Sequence, residues 1–208
     1  MLRPGADHQV RVGVLVSGCG SNLEALIEQV HGRAATIAGV CSSNAEAFAL
    51  ERARAAGIES AVFPLGAHAG DRERRDAAMG DWLTARDVRL VVCAGFMGVL
   101  TSSFLECFPD RVLNLHPSLL PAFPGAHAIE DAHAAGVSET GVTVHLVDDV
   151  LDGGPVVAQT RVPVHYDESP EGLRTRVHAA EHQLLPAVVE RVVRGALDLD
   201  DIARKART

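Results

Sequence analysis

"VRVGVLVSGCGSN", residues 10–22, is the stretch on which the fold turns. Residues 10–17 form a short apolar run in which Val10, Val12, Val14 and Val16 are β-branched, which suits a buried strand better than a helix. Two glycines break the run, and a helical pattern follows from Asn22 to about Val30. A strand that turns through glycines into a helix opens a parallel α/β sheet. Gly18 and Gly20 permit backbone conformations and a close ligand approach that a Cβ would hinder. Ser21 or Asn22 can cap the helix, whose free N–H groups and dipole suit a phosphate. A tight turn with no ligand is the other reading of these residues.

The alternation continues outward from this unit. "ATIAGVCS" (35–42) reads as a second strand, followed by a helix from Ala45 to about Ala56 that Gly57 ends. "ESAVFPL" (59–65) is a third strand, and a charged helix covers about Asp71 to Arg86. "VRLVVCAGF" (88–96) is the most apolar strand and is expected to be central. A short helix around Ser102–Cys107 leads to the strand "RVLNLH" (111–116), and a further helix lies near 125–135. Strands "GVTVHLV" (141–147) and "PVVAQTRVPV" (155–164) follow, then a long helix from about Ser169 to Arg194.

The expected fold is one α/β domain over 1–208: a Rossmann-like parallel first half continuing into a mixed sheet of about seven strands, with helices on both faces. Residues 10–100 would form a phosphate-binding half around the glycine loop, and 101–195 a second half. The charged end, 196–208, is expected to fray.

Composition narrows the function. Apolar residues make up 47% and charged residues 22%, an ordinary globular balance. A net charge of −8 with interspersed signs argues against broad nucleic-acid binding, though a local anion pocket remains compatible with it. No apolar run approaches the roughly 20 residues of a membrane span, and the N-terminus reads as a ragged tail before a strand, not as a signal peptide. Cys19, Cys41, Cys93 and Cys107 show no CxxC spacing, so a reducing cytoplasm is the expected setting, without disulfides or zinc.

The glycine loop fits a dinucleotide poorly. Leu23 stands where G-x-G-x-x-G requires glycine, and no acid closes the second strand. There is no Gly-Lys-Ser/Thr for a nucleoside triphosphate, which leaves a phosphomonoester as the better ligand.

A second candidate lies in "RVLNLHPSLLPAFPG" (111–125). Residues two apart on a strand share a face, so Asn114 and His116 point one way while Leu113 and Leu115 point the other. Pro117 ends the pairing. A carboxamide and an imidazole then stand together at the carboxyl end of a strand, where open α/β sheets hold ligands. They suit a carbonyl that becomes an oxyanion, and they also suit hydrogen bonds to loop backbone. In "VTVHLVDDVLDGGP" (142–155), Asp148, Asp149 and Asp152 precede a Gly-Gly-Pro turn. No ligand-spaced partner supports a metal. A carboxylate beside His116 would orient its ring and favour its charged form.

With "SGCGSN", "NLHPSLLPAFPG" and "GVTVHLVDDVLDGGP" in this order, the chain resembles the phosphoribosylglycinamide formyltransferases, folate-dependent enzymes of purine synthesis. "SSNAEAFALERARAAGI" (42–58), "VVCAGFMGVLT" (91–101) and "RVHAAEHQLLP" (176–186) extend the match to nearly the whole length. The resemblance implies Asn114, His116 and Asp152 as a catalytic trio. It implies Gly20, Ser21 and Asn22 as holders of the ribonucleotide phosphate, with Glu181 and His178 also on the nucleotide. Arg72, the segment Met97, Gly98, Val99 and Leu100, and residues Asp148 to Asp152 would line the folate pocket, and His127 would lie near the site. The co-substrate implied is 10-formyltetrahydrofolate, with no metal, no nucleic acid or membrane partner, and a monomer or homodimer. Three positions depart from the relatives: Gly98 where Arg is common, Cys19 where Asn is common, and His178 where Gln is seen. A deformylase would use the same trio with water as acceptor, and an inactive folate- or nucleotide-binding homologue would keep the fold alone. A deformylase would be expected to carry an added N-terminal domain, and a methionyl-tRNA formyltransferase a C-terminal RNA-binding one; neither is read here.

Overall fold

The computed structural model describes residues 9–165 and 167–207. Seven strands form one sheet in the order β3-β2-β1-β4-β5-β6-β7. The core strand β1 (Val10–Val16) lies parallel between β2 (Ala35–Ser42) and β4 (Leu90–Cys93). β3 (Ser60–Val62) pairs parallel with β2, and β5 (Val112–His116) pairs parallel with β4. β6 (Glu139–Leu146) and β7 (Val156–Pro163) then add antiparallel, which makes the second half mixed as expected.

Helices cover both faces because the strands are apolar on both. Val12, Val14 and Val16 pack into a core shared with Leu26 of α1 (Ser21–Gln29) and Leu185 of α6 (Pro170–Val193). Leu15, Val91 and Cys93 face the other way, toward Met79 and Leu83 of α3 (Arg72–Thr84) and Phe104 of α4 (Ser102–Leu105). Two further helices are α2 (Phe48–Ala55) and α5 (Ala128–Ala134). Each fully buried leucine in these layers contributes roughly 1.5–3 kcal/mol relative to exposure.

One local device sets α1 against α6. Pro186 lies inside α6 and has no N–H, so the carbonyl of His182 lacks its helical donor. Gln29 Nε2 of α1 donates to that carbonyl at 3.1 Å. The helix that begins at the glycine loop is thereby tied to the helix that carries His178 and Glu181.

Two expectations need correction. The third strand is shorter than the run 59–65, because Pro64 ends the pairing and Leu65–His68 continue as a 3-10 turn. The described part of the tail is helical: α7 spans Leu199–Ala206. Asp198 accepts the N–H of Asp200 at its start, and Leu199 and Ala203 are buried on the main core. Leu199, Ile202 and Ala203 recur at helical spacing, and ion pairs Arg111–Asp200 and Arg207–Asp110 fasten the outer face.

Candidate active site

The parallel strands bring the loops after β1, β4 and β5 to one edge of the sheet. At the first, Gly20 precedes α1 with φ 75°, a left-handed conformation. A Cβ there would lie 2.5 Å from the Cβ of Ala49, so both backbone and space require glycine. Gly18 differs, since no protein atom lies within 4 Å of the corresponding point. No side chain caps the start of α1, which leaves its first N–H groups facing the loop.

Asn22 turns inward instead of capping. Its Nδ2 donates to Glu181 Oε2 at 2.9 Å, and its buried Oδ1 has no partner. Burial raises the Glu181 carboxyl above the ordinary glutamate range, with the Asn22 bond opposing. His178, one turn earlier on α6, stacks on His182 with ring centroids 6.4 Å apart. Burial, then the charges of His182 and Arg174, lower its basicity.

At β5, alternation places the polar pair as expected. Leu113 and Leu115 enter the α1/α6 core, while Asn114 and His116 occupy the opposite face. Antiparallel pairing sets His145 of β6 directly opposite Asn114. His145 Nδ1 is 2.8 Å from the carbonyl of Leu146, which can only accept, so this nitrogen carries the proton. Nε2 is then free to accept from Asn114 Nδ2 at 3.0 Å. Burial is the largest influence on the ring and lowers its pKa, which keeps it in this neutral form.

His116 is held at both ends. Its Nε2 donates to Phe123 O at 2.9 Å, and its Nδ1 lies 3.5 Å from Asp152 Oδ2. A doubly protonated ring donates in both directions, whereas a neutral one sets a lone pair against the carboxylate. Asp152 belongs to the segment between β6 and β7, which folds back far enough to bring its carboxylate to His116, His145 and Gly125. Gly125 N–H fixes Asp152 Oδ2 at 2.8 Å, and Asp152 Oδ1 lies 3.8 Å from His145 Nε2. The fold-back needs Gly154, where a Cβ would stand 1.9 Å from the carbonyl oxygen of Leu146.

These parts open into one cavity of about 540 Å³. It is lined by residues 17–22, 93–100, 114–117 and 147–152, with Gly125, Ala126, His145, His178 and Glu181. Met97, Val99, Val150 and Leu151 form an exposed apolar rim. Gly20, Ser21, Asn22, Met97, Gly98, Val99, Leu100, Asn114, His116, Asp148, Asp152, His178 and Glu181 are therefore brought together. Arg72 and His127 are not. Arg72 is exposed on the first turn of α3, and His127 is the exposed residue before α5. The arginine that α3 directs toward the 96–101 loop is Arg75. His145 was not anticipated, although "TVH" repeats the polar alternation of "NLH". Cys93 lies in the wall, and burial pushes its thiol up to about 12, which removes it as a nucleophile near neutral pH. Among the described residues, no group of three or more His, Cys, Asp or Glu is disposed to hold a metal ion, and no helix is long and apolar enough to cross a membrane.

The chain is similar to known proteins in sequence and in fold. The formyl transferase family model matches residues 10–189. The chain is 41% identical over 197 residues to the phosphoribosylglycinamide formyltransferase of Escherichia coli, covering 93% of this chain and 92% of that protein. It is 39% identical over 193 residues to the phosphoribosylglycinamide formyltransferase of Haemophilus influenzae, covering 92% and 91%. The crystal structure of glycinamide ribonucleotide transformylase 1 from Symbiobacterium toebii aligns with a TM-score of 0.87 at 40% identity, over 93% of each chain. Since the family match runs through all seven strands and both sides of the cavity, the chain belongs to the formyl transferase family.

Proposed function

We propose that the protein transfers the formyl group of 10-formyltetrahydrofolate to the amine of 5-phosphoribosylglycinamide, giving the N-formyl ribonucleotide and tetrahydrofolate. The observation that carries this reading is a shared cavity: the uncapped start of α1 and the Asn114–His116–Asp152 cluster open into the same space. The start of α1, with Gly20 and Ser21, suits the phosphate of the ribonucleotide. Glu181 is an acceptor for sugar hydroxyl or amine protons, and Asn22 Oδ1 lacks a donor that a ligand can supply. The apolar rim of Met97, Val99, Val150 and Leu151, with Leu100, suits the flat ring system of a folate.

In this reading Asn114 and protonated His116 stabilise the oxygen that becomes negative as the amine adds to the formyl carbon. One such donor is worth ~10²–10³ in rate. His145 holds the Asn114 amide in the donating orientation. The attacking nitrogen loses one proton and N10 of the folate gains one as its bond to carbon breaks, so no proton is consumed. Asp152 and His116 move this proton, a task worth ~10²–10⁴. His116 must release the Phe123 carbonyl or the Asp152 contact to do so, because both ring nitrogens are engaged. Holding both substrates at one edge supplies much of the remaining acceleration without a covalent intermediate. The four free cysteines suit a reducing cytoplasm, where the protein works as a monomer or homodimer.

Following a ¹³C-labelled formyl donor by NMR tests the assignment. The label is expected in a new amide only when the ribonucleotide is present. Formate released at the same rate without ribonucleotide would make the protein a deformylase. Binding of both ligands without turnover would reduce it to a binding homologue.

A further inference from the structure

We infer that Arg75 and Asp76, which lie outside the cavity lining, are positioning residues that hold the backbone of residues 96–101 as the folate-side wall, and that the Phe96 ring, together with Arg75, restricts position 98 to glycine. The inference rests on the reading of residues 97–100 as the folate side.

Both residues lie on the inward face of α3, with Arg75 4% exposed and Asp76 at 0%. Arg75 Nε donates to Asp76 Oδ1 at 2.7 Å, and Nη2 lies 2.6 Å from the same oxygen. Arg75 Nη2 also donates to the carbonyl of Val99 at 3.3 Å, and the guanidinium stands 5.7 Å from the centroid of Phe96. The second carboxylate oxygen, Asp76 Oδ2, accepts the N–H of Thr101 at 2.7 Å, just before α4 begins. One ion pair thus grips the loop at Phe96, Val99 and Thr101 from behind.

A buried ion pair is a poor source of stability compared with an apolar pair of the same volume. Its use here is geometric. Charge-assisted bonds in a fixed planar fork set backbone atoms more tightly than packing does. Gly98 sits in the gripped segment, and its backbone is not in the left-handed region. Space excludes a larger residue instead: a Cβ would lie 2.7 Å from Phe96 Cε1, 3.0 Å from its Cζ and 3.2 Å from Arg75 Nη1. The guanidinium and the ring it faces occupy the room a side chain at 98 would need. The wall at 98 is therefore bare backbone between the exposed side chains of Met97 and Val99.

The test uses the full chain with Arg75→Met/Asp76→Asn, Arg75→Lys and Gly98→Ala, measuring melting temperature, kcat and the KM of each substrate. The paired variant removes both charges while the asparagine oxygen still accepts from Thr101, so it is expected to fold. Its KM for the formyl-folate is expected to rise about tenfold with the ribonucleotide KM unchanged. Arg75→Lys is expected to recover part of that loss. Gly98→Ala is expected to raise the folate KM in the parent protein and to do so less in the paired variant, where Phe96 is free to shift. An unchanged folate KM, equal rises in both KM values, or additive costs at 75 and 98 would each overturn the inference. If the unsubstituted protein fails to bind a folate analogue, the functional reading fails separately. Amide exchange then reads the wall alone: faster exchange at 96–101 in the paired variant upholds the grip, and unchanged exchange refutes it.

Discussion

Replacing His145 by leucine removes the acceptor on which Asn114 Nδ2 is aimed at 3.0 Å and the donor to the Leu146 carbonyl at 2.8 Å. Two inward-facing polar groups lose their partners, at ~1–3 kcal/mol each, so a stability loss of ~2–6 kcal/mol is expected in denaturant titration. The catalytic effect is separable. With its amide released, Asn114 spends part of its time turned away from the formyl oxygen, and kcat is expected to fall ~10–100-fold. The ribonucleotide KM should change little, since the α1 end of the cavity is untouched. His145→Gln restores an acceptor and a donor and should recover much of the rate. A pH profile adds a second reading, because burial lowers the His145 pKa from 6.5. Between the folded and unfolded values the unfolded chain binds more protons, so this residue makes stability fall as pH drops below about 6.5 and level off below the folded pKa. Protonation also turns Nε2 into a donor facing the Asn114 donor, so activity should fall on the same acid side. A folded His145→Leu protein with parental kcat would refute the reasoning.

Three further outcomes follow from the cavity. Asp152→Asn should lower kcat by ~10²–10⁴ while leaving the ribonucleotide dissociation constant nearly unchanged by calorimetry; equal losses in both would deny Asp152 a role in proton transfer. Glu181→Gln should melt higher than the parent at pH 8, because burial raises the carboxyl pKa and penalises its charged form. That gain should vanish near pH 4, where both states are protonated, and ribonucleotide affinity should fall throughout. Gly20→Ala should cost ~1–3 kcal/mol in stability and raise the ribonucleotide KM, because it places a Cβ 2.5 Å from Ala49 at φ 75°.

The parts of this molecule legible in the sequence are those set by local pattern. The β-branched run 10–16 and the glycines after it mark the first strand and turn without reference to anything distant. Alternation alone places Asn114 and His116 on one face. What was missed depends on register and fold-back. His145 sits in an apolar strand and becomes a partner of Asn114 only when β6 pairs antiparallel in a particular register, which a lone strand does not specify. Asp152 was found through resemblance, since its approach to His116 depends on a loop that returns across the sheet. Arg72 was expected in the pocket, but one turn of helix separates an exposed first-turn side chain from the buried Arg75. The sequence of α7 points to a charged, fraying end because its charges hide a narrow stripe of Leu199, Ile202 and Ala203.

The central claim is that the phosphate end and the formyl-transfer end belong to one cavity. Calorimetry with a single molecule joining a folate to the ribonucleotide through a linker matched to the cavity reads this directly. The account predicts binding ~10²–10⁴ tighter than either half alone, because the second half then binds intramolecularly. Binding no tighter than the better half, or two molecules bound per chain, would contradict it.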